Sequence, residues 1–530
     1  MSHHSSPRGV PYLLALALVL VGCASSHANP LPAPIAPGSR AALRASIDSL
    51  VGDAMFRNAN WGVLVVNPRT RDTVYSRNSG KLFMPASNQK ILTGATALAQ
   101  LGADYRFATH FLTNGVLTNG VLTGDLLVDG RGDPSMSDAM MGNAMKPLRA
   151  AADSLWARGV REIAGALVKG GNAFPDTTVG FGWEWDDFET SSGAAVDELF
   201  FNEGVVRVTV YGGDRAGDAV RVRLHPARAV PTVVADFVTS AAAQATTATP
   251  GTQRMQGMQG AQGAPAAVAV RRTPLRWTTD LRGARPVVHL TGAVRARDSV
   301  SAEIAVRDPS AAWLDAFAEA LADRGIVLRG NVVRSPAATV NGAQRLFTLL
   351  SPPLRDVLGP FLKPSQNQIG ELLFLALGLE TTGVGSPDSA RRVVERQLMA
   401  WGADSAGFAV RDGSGLSRHD YVTPETIVRT LDAMRTHAEF KTFYDALPIG
   451  GVDGTIAGRM KGTPAAQNVH AKTGTVDKAR SLSGYVTTAD GQLLLFSFLC
   501  NNFTVPNREV ERVQDAILVR LASAPLTAAR

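Results

Sequence analysis

Cysteine is nearly missing from this chain of 530 residues, which carries only Cys23 and Cys500. A disulfide-stapled scaffold is therefore excluded. Histidine is also scarce, and its nine copies form no HExxH, no other tight ligand spacing and no Cys/His cluster. No metal and no other cofactor is expected. The formal net charge of +7 comes without long Lys/Arg blocks, which leaves nucleic acid without support as a partner. After Val21 no apolar run is long enough to span a bilayer. What remains is a long chain of globular composition, enough for two to four domains with a large buried core.

The N-terminus has the pattern of an export signal. Met1 to Gly9 carry Arg8 and no acid, and Val10 to Val21 are almost unbroken in apolar character. Leu20-Val21-Gly22-Cys23 resembles a bacterial lipobox, so residues 1–23 are read as a lipoprotein signal peptide with Cys23 as the lipid attachment site. The alternative is plain cleavage after Ser26-His27-Ala28. The first reading predicts a membrane-anchored lipoprotein on the periplasmic side of the cell envelope; the second predicts a secreted periplasmic protein. Residues 24–37, rich in Ala, Ser and Pro, form the tether. Cys500 lies in the apolar run that begins at Leu493 and reads as a small buried hydrophobe.

Periodicity then gives an amphipathic helix over Ser39 to Phe56 and a hairpin from Trp61 to Val66 and Thr73 to Ser76. From about Arg106 to Gly342 short strands and turns dominate, with no complete catalytic set. This stretch is expected to be an insert of one or two small domains. It holds a helix over Pro147 to Arg158 with proline at its first position, a helix over Ser310 to Arg324 and a strand over Val327 to Val333. Residues 241–267 are low in complexity and are expected to be a disordered loop. Beyond the insert come an apolar helix from Ile369 to Leu379, strands at Val469 to Val476, Ser481 to Thr488 and Gln492 to Cys500, and a helix from Arg508 to Ala522. The two hairpins and the Lys472 strand are expected to join in one antiparallel sheet of about five strands, with the first and last helices on one face.

Three short words carry chemistry. Phe83-Met84-Pro85-Ala86-Ser87-Asn88-Gln89-Lys90 reads Ser-x-x-Lys at a helix start, since Pro85 precedes an apolar stripe of Ile91, Leu92, Ala95 and Leu98. Ser87 then sits in the first turn, on the same face as Lys90, and the amine reaches the hydroxyl. Lysine can act as base to a serine only when burial or a second cation discourages its ammonium. A helix start also offers unpaired amides for an oxyanion. An ordinary capped helix would show the same letters. Ser365-Gln366-Asn367 is the second word, and a helix N-cap is its alternative. Lys472-Thr473-Gly474, on a predicted strand, is the third.

In this order the three words are the signature of penicillin-binding proteins and serine β-lactamases. Gly132-Asp133-Pro134, Gly182-Trp183-Glu184-Trp185-Asp186-Asp187, Phe201-Asn202-Glu203, the loop Asp412 to Arg418, Gly454-Thr455 and Arg459-Met460 add to them. With these the chain resembles the D-alanyl-D-alanine carboxypeptidase/endopeptidases, the class C low-molecular-mass penicillin-binding proteins. The resemblance covers nearly the whole mature chain; the run at 241–267 departs from the family pattern. It implies an α/β fold of the α+β type: a penicillin-binding-protein/serine β-lactamase-like transpeptidase domain over 38–106 and 343–530, interrupted by inserted domains over 107–342.

Residue by residue, the resemblance assigns Ser87 as nucleophile, Lys90 as its base and Lys472 as the second cation. Ser365 would pass the proton to the leaving amine, and Asn367 would bind substrate backbone and orient Lys90. Thr473 and Thr475 would grip the terminal carboxylate, with Gly474 allowing close approach of a peptide along the strand edge. The oxyanion hole would be the amides of Ser87 and Thr475. Asp187 and Arg418 would face the charged end of a diaminopimelate side chain; a surface ion pair is the alternative for each. The implied partners are peptidoglycan stem peptides, with β-lactam antibiotics as inhibitors acylating the same serine. A serine β-lactamase and a non-catalytic peptidoglycan-binding lipoprotein are the competing readings.

Overall fold

The computed structural model describes residues 40–175, 179–225, 232–240, 276–280 and 287–526. The expected signal peptide, tether and low-complexity loop lie outside them. The organising element is an antiparallel sheet of five strands in the order Asp72–Arg77, Asn60–Asn67, Leu493–Asn501, Ala479–Thr487, His470–Val476. Both faces of its central strands are covered, and Leu493 to Cys500 is accordingly apolar but for Ser497. Side chains alternate across a strand. Trp61, Val63, Phe496, Phe498 and Cys500 therefore pack on the helices Arg40–Val51 and Asn507–Ser523, the first and last of the chain. Leu64, Leu495 and Leu499 enter the opposite core, built from the helices Gln89–Leu101, Leu354–Leu362, Asn367–Thr382 and Pro424–Thr436. The Lys90-bearing and Asn367-bearing helices thus share one apolar core against one sheet face.

The first helix is shorter than its amphipathic stripe suggests. It ends at Val51, and Asp53 caps a separate 3-10 turn, Ala54–Phe56, by accepting from the Met55 amide at 2.9 Å.

The insert contains two kinds of unit. Five strands in the order Val332–Ala338, Leu167–Gly170, Leu126–Asp129, Ala108–Thr113, Gln344–Leu350 form a mixed sheet. The helices Met145–Ala157 and Pro309–Arg324 share its core through Leu148, Leu155, Trp313 and Phe317. Between them in sequence, two three-stranded sheets share a second core around Val206, Val208, Val288, Leu290 and Ile304.

Three expectations shift. Gln344–Leu350 pairs with Ala108–Thr113 in the insert sheet, so the chain returns near Ser351 and not at 343. There the two crossing segments are tied by the Ser351 amide donating to Phe107 O and the Phe107 amide to Ser351 Oγ, both at 2.9 Å. The helix expected to open on Pro147 opens on Met145, because Met145 is itself buried in the core; proline is still accommodated in the first turn, whose amides lack intrahelical acceptors. The strand expected over Val327 to Val333 is two strands, Val327–Leu328 and Val332–Ala338, broken where a Cβ at Gly330 would lie 2.3 Å from Gly165 O. Among the described residues no helix is long and apolar enough to cross a membrane.

Phe361 is fully buried where the helices Gln89–Leu101 and Leu354–Leu362 meet. Phe361→Ala is expected to lower the unfolding free energy by about 3–5 kcal/mol. Urea midpoints at unchanged slope measure this, and a midpoint equal to that of the parent protein would contradict the packing described.

Candidate active site

Ser87 sits in a 3-10 turn, Ala86–Asn88, immediately before the helix Gln89–Leu101, not inside that helix as its spacing suggested. The turn is held on the sheet from several directions. Asn501 accepts from the Met84 amide at 2.8 Å and donates to Met84 O at 3.2 Å. Ser481 Oγ donates to Pro85 O at 2.6 Å, and Asn88 Nδ2 donates to Lys472 O at 2.8 Å. These bonds fix Ala86 at φ 47°, a left-handed conformation that costs a residue with a Cβ and persists only under such constraint.

Two glycines make room for the turn. A Cβ on Gly474 would lie 2.1 Å from Ser481 Oγ and 2.9 Å from the Ser87 amide; one on Gly415 would lie 1.9 Å from Ala86 O. Gly474 thus has a reason of its own to lack a side chain: its close neighbour is the Ser87 turn.

Lys90 is fully buried, while Ser87 is half-buried. Its Nζ lies 2.9 Å from Ser87 Oγ, 2.6 Å from Asn367 Oδ1 and 2.8 Å from Ser414 O. As a neutral amine it can donate to Asn367 and Ser414 and keep its lone pair for the Ser87 proton. Burial pushes the Lys90 ammonium down to about 7, against the opposing pull of the Asp412, Glu371 and Asp420 carboxyls. Burial is therefore the agent that discourages the charge. Lys472, also fully buried, donates to Ser365 Oγ at 2.7 Å and to Thr473 O at 2.9 Å. It is itself held well below the ordinary lysine range, by burial first and by Lys90 next.

Ser365 is at φ 67°, a second strained residue at the site. The helix Asn367–Thr382 is capped by Gln366, whose side chain accepts from the Ile369 amide at 2.9 Å. That leaves Ser365 and Asn367 for the cavity. The strand His470–Val476 is a sheet edge. The Ala471 amide donates to Pro448 O at 2.9 Å, but Thr473–Val476 have no strand partner on that side among the described residues. Thr473 Oγ1 lies 2.7 Å from Thr455 Oγ1, and Thr475 is half-buried two residues on.

Asp187 and Arg418 lie in segments that meet, but not as a pair. Asp187 accepts from the Glu184 amide at 2.9 Å, and burial raises its carboxyl above the usual range. Arg418 faces Glu184 at 3.8 Å, and its amide donates to Gly182 O at 3.3 Å. Among the described residues no group of acids, histidines and cysteines could hold a metal.

The D-Ala-D-Ala carboxypeptidase 3 (S13) family matches this chain over residues 43–276 and 273–524. The chain belongs to that family. By class it is a serine D-Ala-D-Ala carboxypeptidase, a hydrolase. A D-alanyl-D-alanine carboxypeptidase from Actinomadura sp. (strain R39) is 33% identical over 493 residues, 91% of this chain and 84% of the relative. The crystal structure of penicillin binding protein 4 from Haemophilus influenzae superposes with a TM-score of 0.73 at 23% identity, over 90% of this chain and 99% of that one. Its complex with a β-lactam gives 0.67 at 24% identity, over 89% and 98%. At these identities the two structures show the shared fold.

Further contacts of this carboxypeptidase site tie it to the insert. Gln368 donates to Ser191 O, Ser192 O and Ala194 O at 3.0–3.1 Å, and Asn367 Nδ2 donates to Ser192 O at 3.0 Å. Trp183 Nε1 donates to Asp412 Oδ2 at 2.9 Å. The segment before Phe201 is thereby bound to two walls of the cavity. Glu371 was also missed, although it stands four residues after Asn367 in an otherwise apolar helix, the spacing that puts both on one face.

Gly474→Ala forces the Ser87 turn off the strand. It is expected to cost about 1–3 kcal/mol of folding stability by overpacking. Denaturant unfolding tests this; a change within about 0.5 kcal/mol would show that the turn does not rest there.

Proposed function

We propose that Ser87 is the nucleophile of a D-Ala-D-Ala carboxypeptidase and DD-endopeptidase acting on peptidoglycan stem peptides. What supports the reading is the pairing of two buried amines with two reachable hydroxyls: Lys90 Nζ lies 2.9 Å from Ser87 Oγ, and Lys472 Nζ 2.7 Å from Ser365 Oγ. Lys90 takes the Ser87 proton as Oγ bonds to the carbonyl carbon of the penultimate D-alanine. The amides of Ser87 and Thr475 receive the oxyanion. Ser365, held by Lys472, passes the proton that Lys90 took from Ser87 on to the nitrogen as the peptide bond breaks, and D-alanine leaves with it. Water then splits the ester and restores Ser87. The same steps cut a cross-link when the leaving amine belongs to a second stem peptide.

Asn367 orients Lys90 and binds the substrate backbone, while Thr473 and Thr475 hold the terminal carboxylate at the free edge beside Gly474. Asp187 and Arg418 face the charged end of the diaminopimelate side chain. A β-lactam presents a strained amide to the same serine and acylates it, in keeping with the β-lactam complex of the Haemophilus relative. In this reading residues 38–106 and the part after the insert form the catalytic domain, and the insert walls its cleft.

Ser87→Ala is expected to lose the penicillin adduct in intact-mass analysis and to slow release of D-alanine from purified muropeptides by at least about a thousandfold. An unlabelled parent protein that releases nothing would favour a non-catalytic scaffold, and rapid turnover of the antibiotic a β-lactamase. The membrane anchor rests on Cys23 carrying a lipid; mass spectrometry of the mature N-terminus should find diacylglycerol on that residue. An unmodified start at Asn29 would rule the anchor out.

A further inference from the structure

Three buried carboxyls, Glu371, Asp412 and Asp420, stand behind Lys90, and the acyl-transfer steps above use none of them. Their geometry separates their roles. Asp412 accepts from the amides of Gly415 and Ser417 at 2.6 and 2.7 Å, from the Ser414 amide at 3.1 Å and from Trp183 Nε1 at 2.9 Å. These donors occupy both of its oxygens. Asp420 accepts from the Arg411 amide at 2.6 Å through one oxygen, while its Oδ2 is buried without a donor, as befits a carboxyl that keeps its own proton. Burial and Asp412 both favour that protonated form.

Glu371 is placed differently. It accepts from the amides of Ser414 at 2.8 Å and Gly413 at 3.2 Å, and the same Ser414 offers its carbonyl to Lys90 Nζ at 2.8 Å. The loop cannot drift from either helix. A Cβ at Gly413 would lie 2.2 Å from Gly370 O, and Thr93 Oγ1, on the helix of Lys90, donates to Gly413 O at 2.8 Å. One residue, Ser414, therefore joins the Glu371 carboxyl to the Lys90 amine through its amide and its carbonyl.

We propose that Glu371 is a positioning residue that acts through Lys90: it fixes the carbonyl against which the amine is held, and when ionised it favours the ammonium formed as Ser87 gives up its proton. The inference rests on Ser87 and Lys90 acting as proposed above. Burial and Asp412 push the Glu371 carboxyl up to about 8, so its charge changes near the working range of Lys90. The other groups facing the pair are Asp412 and Asp420 from the loop and Lys472 from the edge strand, and all three are common to the variants compared.

The test is the rate of Ser87 acylation by a penicillin as a function of pH, read by intact mass, in the parent protein and in Glu371→Gln. In the parent the rate should rise as Lys90 loses its proton and rise again as Glu371 ionises, by about tenfold at the upper step. Glu371→Gln should lack the upper step. Two profiles that superimpose after scaling would overturn the proposal, because a merely structural role lowers the rate without changing its pH dependence. Should Glu371→Gln fail to fold, a 15N titration of the Lys90 amine in the parent protein decides. Two inflections support the coupling and a single one overturns it. Absence of any acyl adduct in the parent would instead defeat the assignment of Ser87, a distinguishable result.

Discussion

Two amines, those of Lys90 and Lys472, are completely buried, and most of the local architecture answers to that constraint. An isolated buried ammonium is so costly that a lysine placed there surrenders its proton more readily than one in water. The fold moderates the cost without removing it. Lys90 finds three oxygen partners and a set of carboxyls behind the nearest carbonyl, which leaves it poised near neutrality. Lys472 has two partners, Ser365 Oγ and Thr473 O, and its depression is caused by burial and by Lys90, with no carboxyl opposing it. Two chemically identical side chains thus stand in different surroundings, one with carboxyls opposing the effect of burial and one without.

The backbone around these amines is strained where the chemistry is. Ala86, directly before Ser87, and Ser365 both occupy the left-handed region. Neither is glycine, so neither conformation is free. For Ala86 the surrounding sheet supplies the constraint, through Asn501, Ser481 and the surfaces of Gly474 and Gly415. Sheet register and site geometry are therefore one problem: slipping the strand His470–Val476 by one residue would put a side chain where Gly474 admits the Ser87 turn.

Much of this was legible in the sequence because it is local. Ser-x-x-Lys encodes a face of one turn, and the reach from Lys90 to Ser87 survives even though the turn is 3-10 and not α. The central sheet could be read because runs such as Leu493–Asn501 are apolar through both faces and leave few other ways to be buried. What escaped was long-range. Gln344–Leu350 is an ordinary half-buried strand by composition, and only its pairing with Ala108–Thr113 assigns it to the insert. Glu371 had a signal, an acid on the face of Asn367 in a helix with no other polar reason for it. Without the loop amides in view, that face could not be recognised as functional.

The contacts of the segment 182–204 were illegible for a stronger reason: they are made largely by backbone. Ser191, Ser192 and Ala194 contribute carbonyl oxygens, which any residue would supply. Yet they settle a chemical ambiguity. An asparagine amide can present either end to a neighbour, and an NH2 turned towards Lys90 would compete as a donor and not receive the amine's proton. With Nδ2 committed to Ser192 O, and that carbonyl held by Gln368, Asn367 must offer Oδ1 to Lys90. Trp183 does the same service for Asp412, whose charge is satisfied partly from outside its own loop. The segment therefore decides the direction of hydrogen bonds on which the Lys90 amine depends, and without it the three motifs would keep their letters while losing the Asn367 orientation.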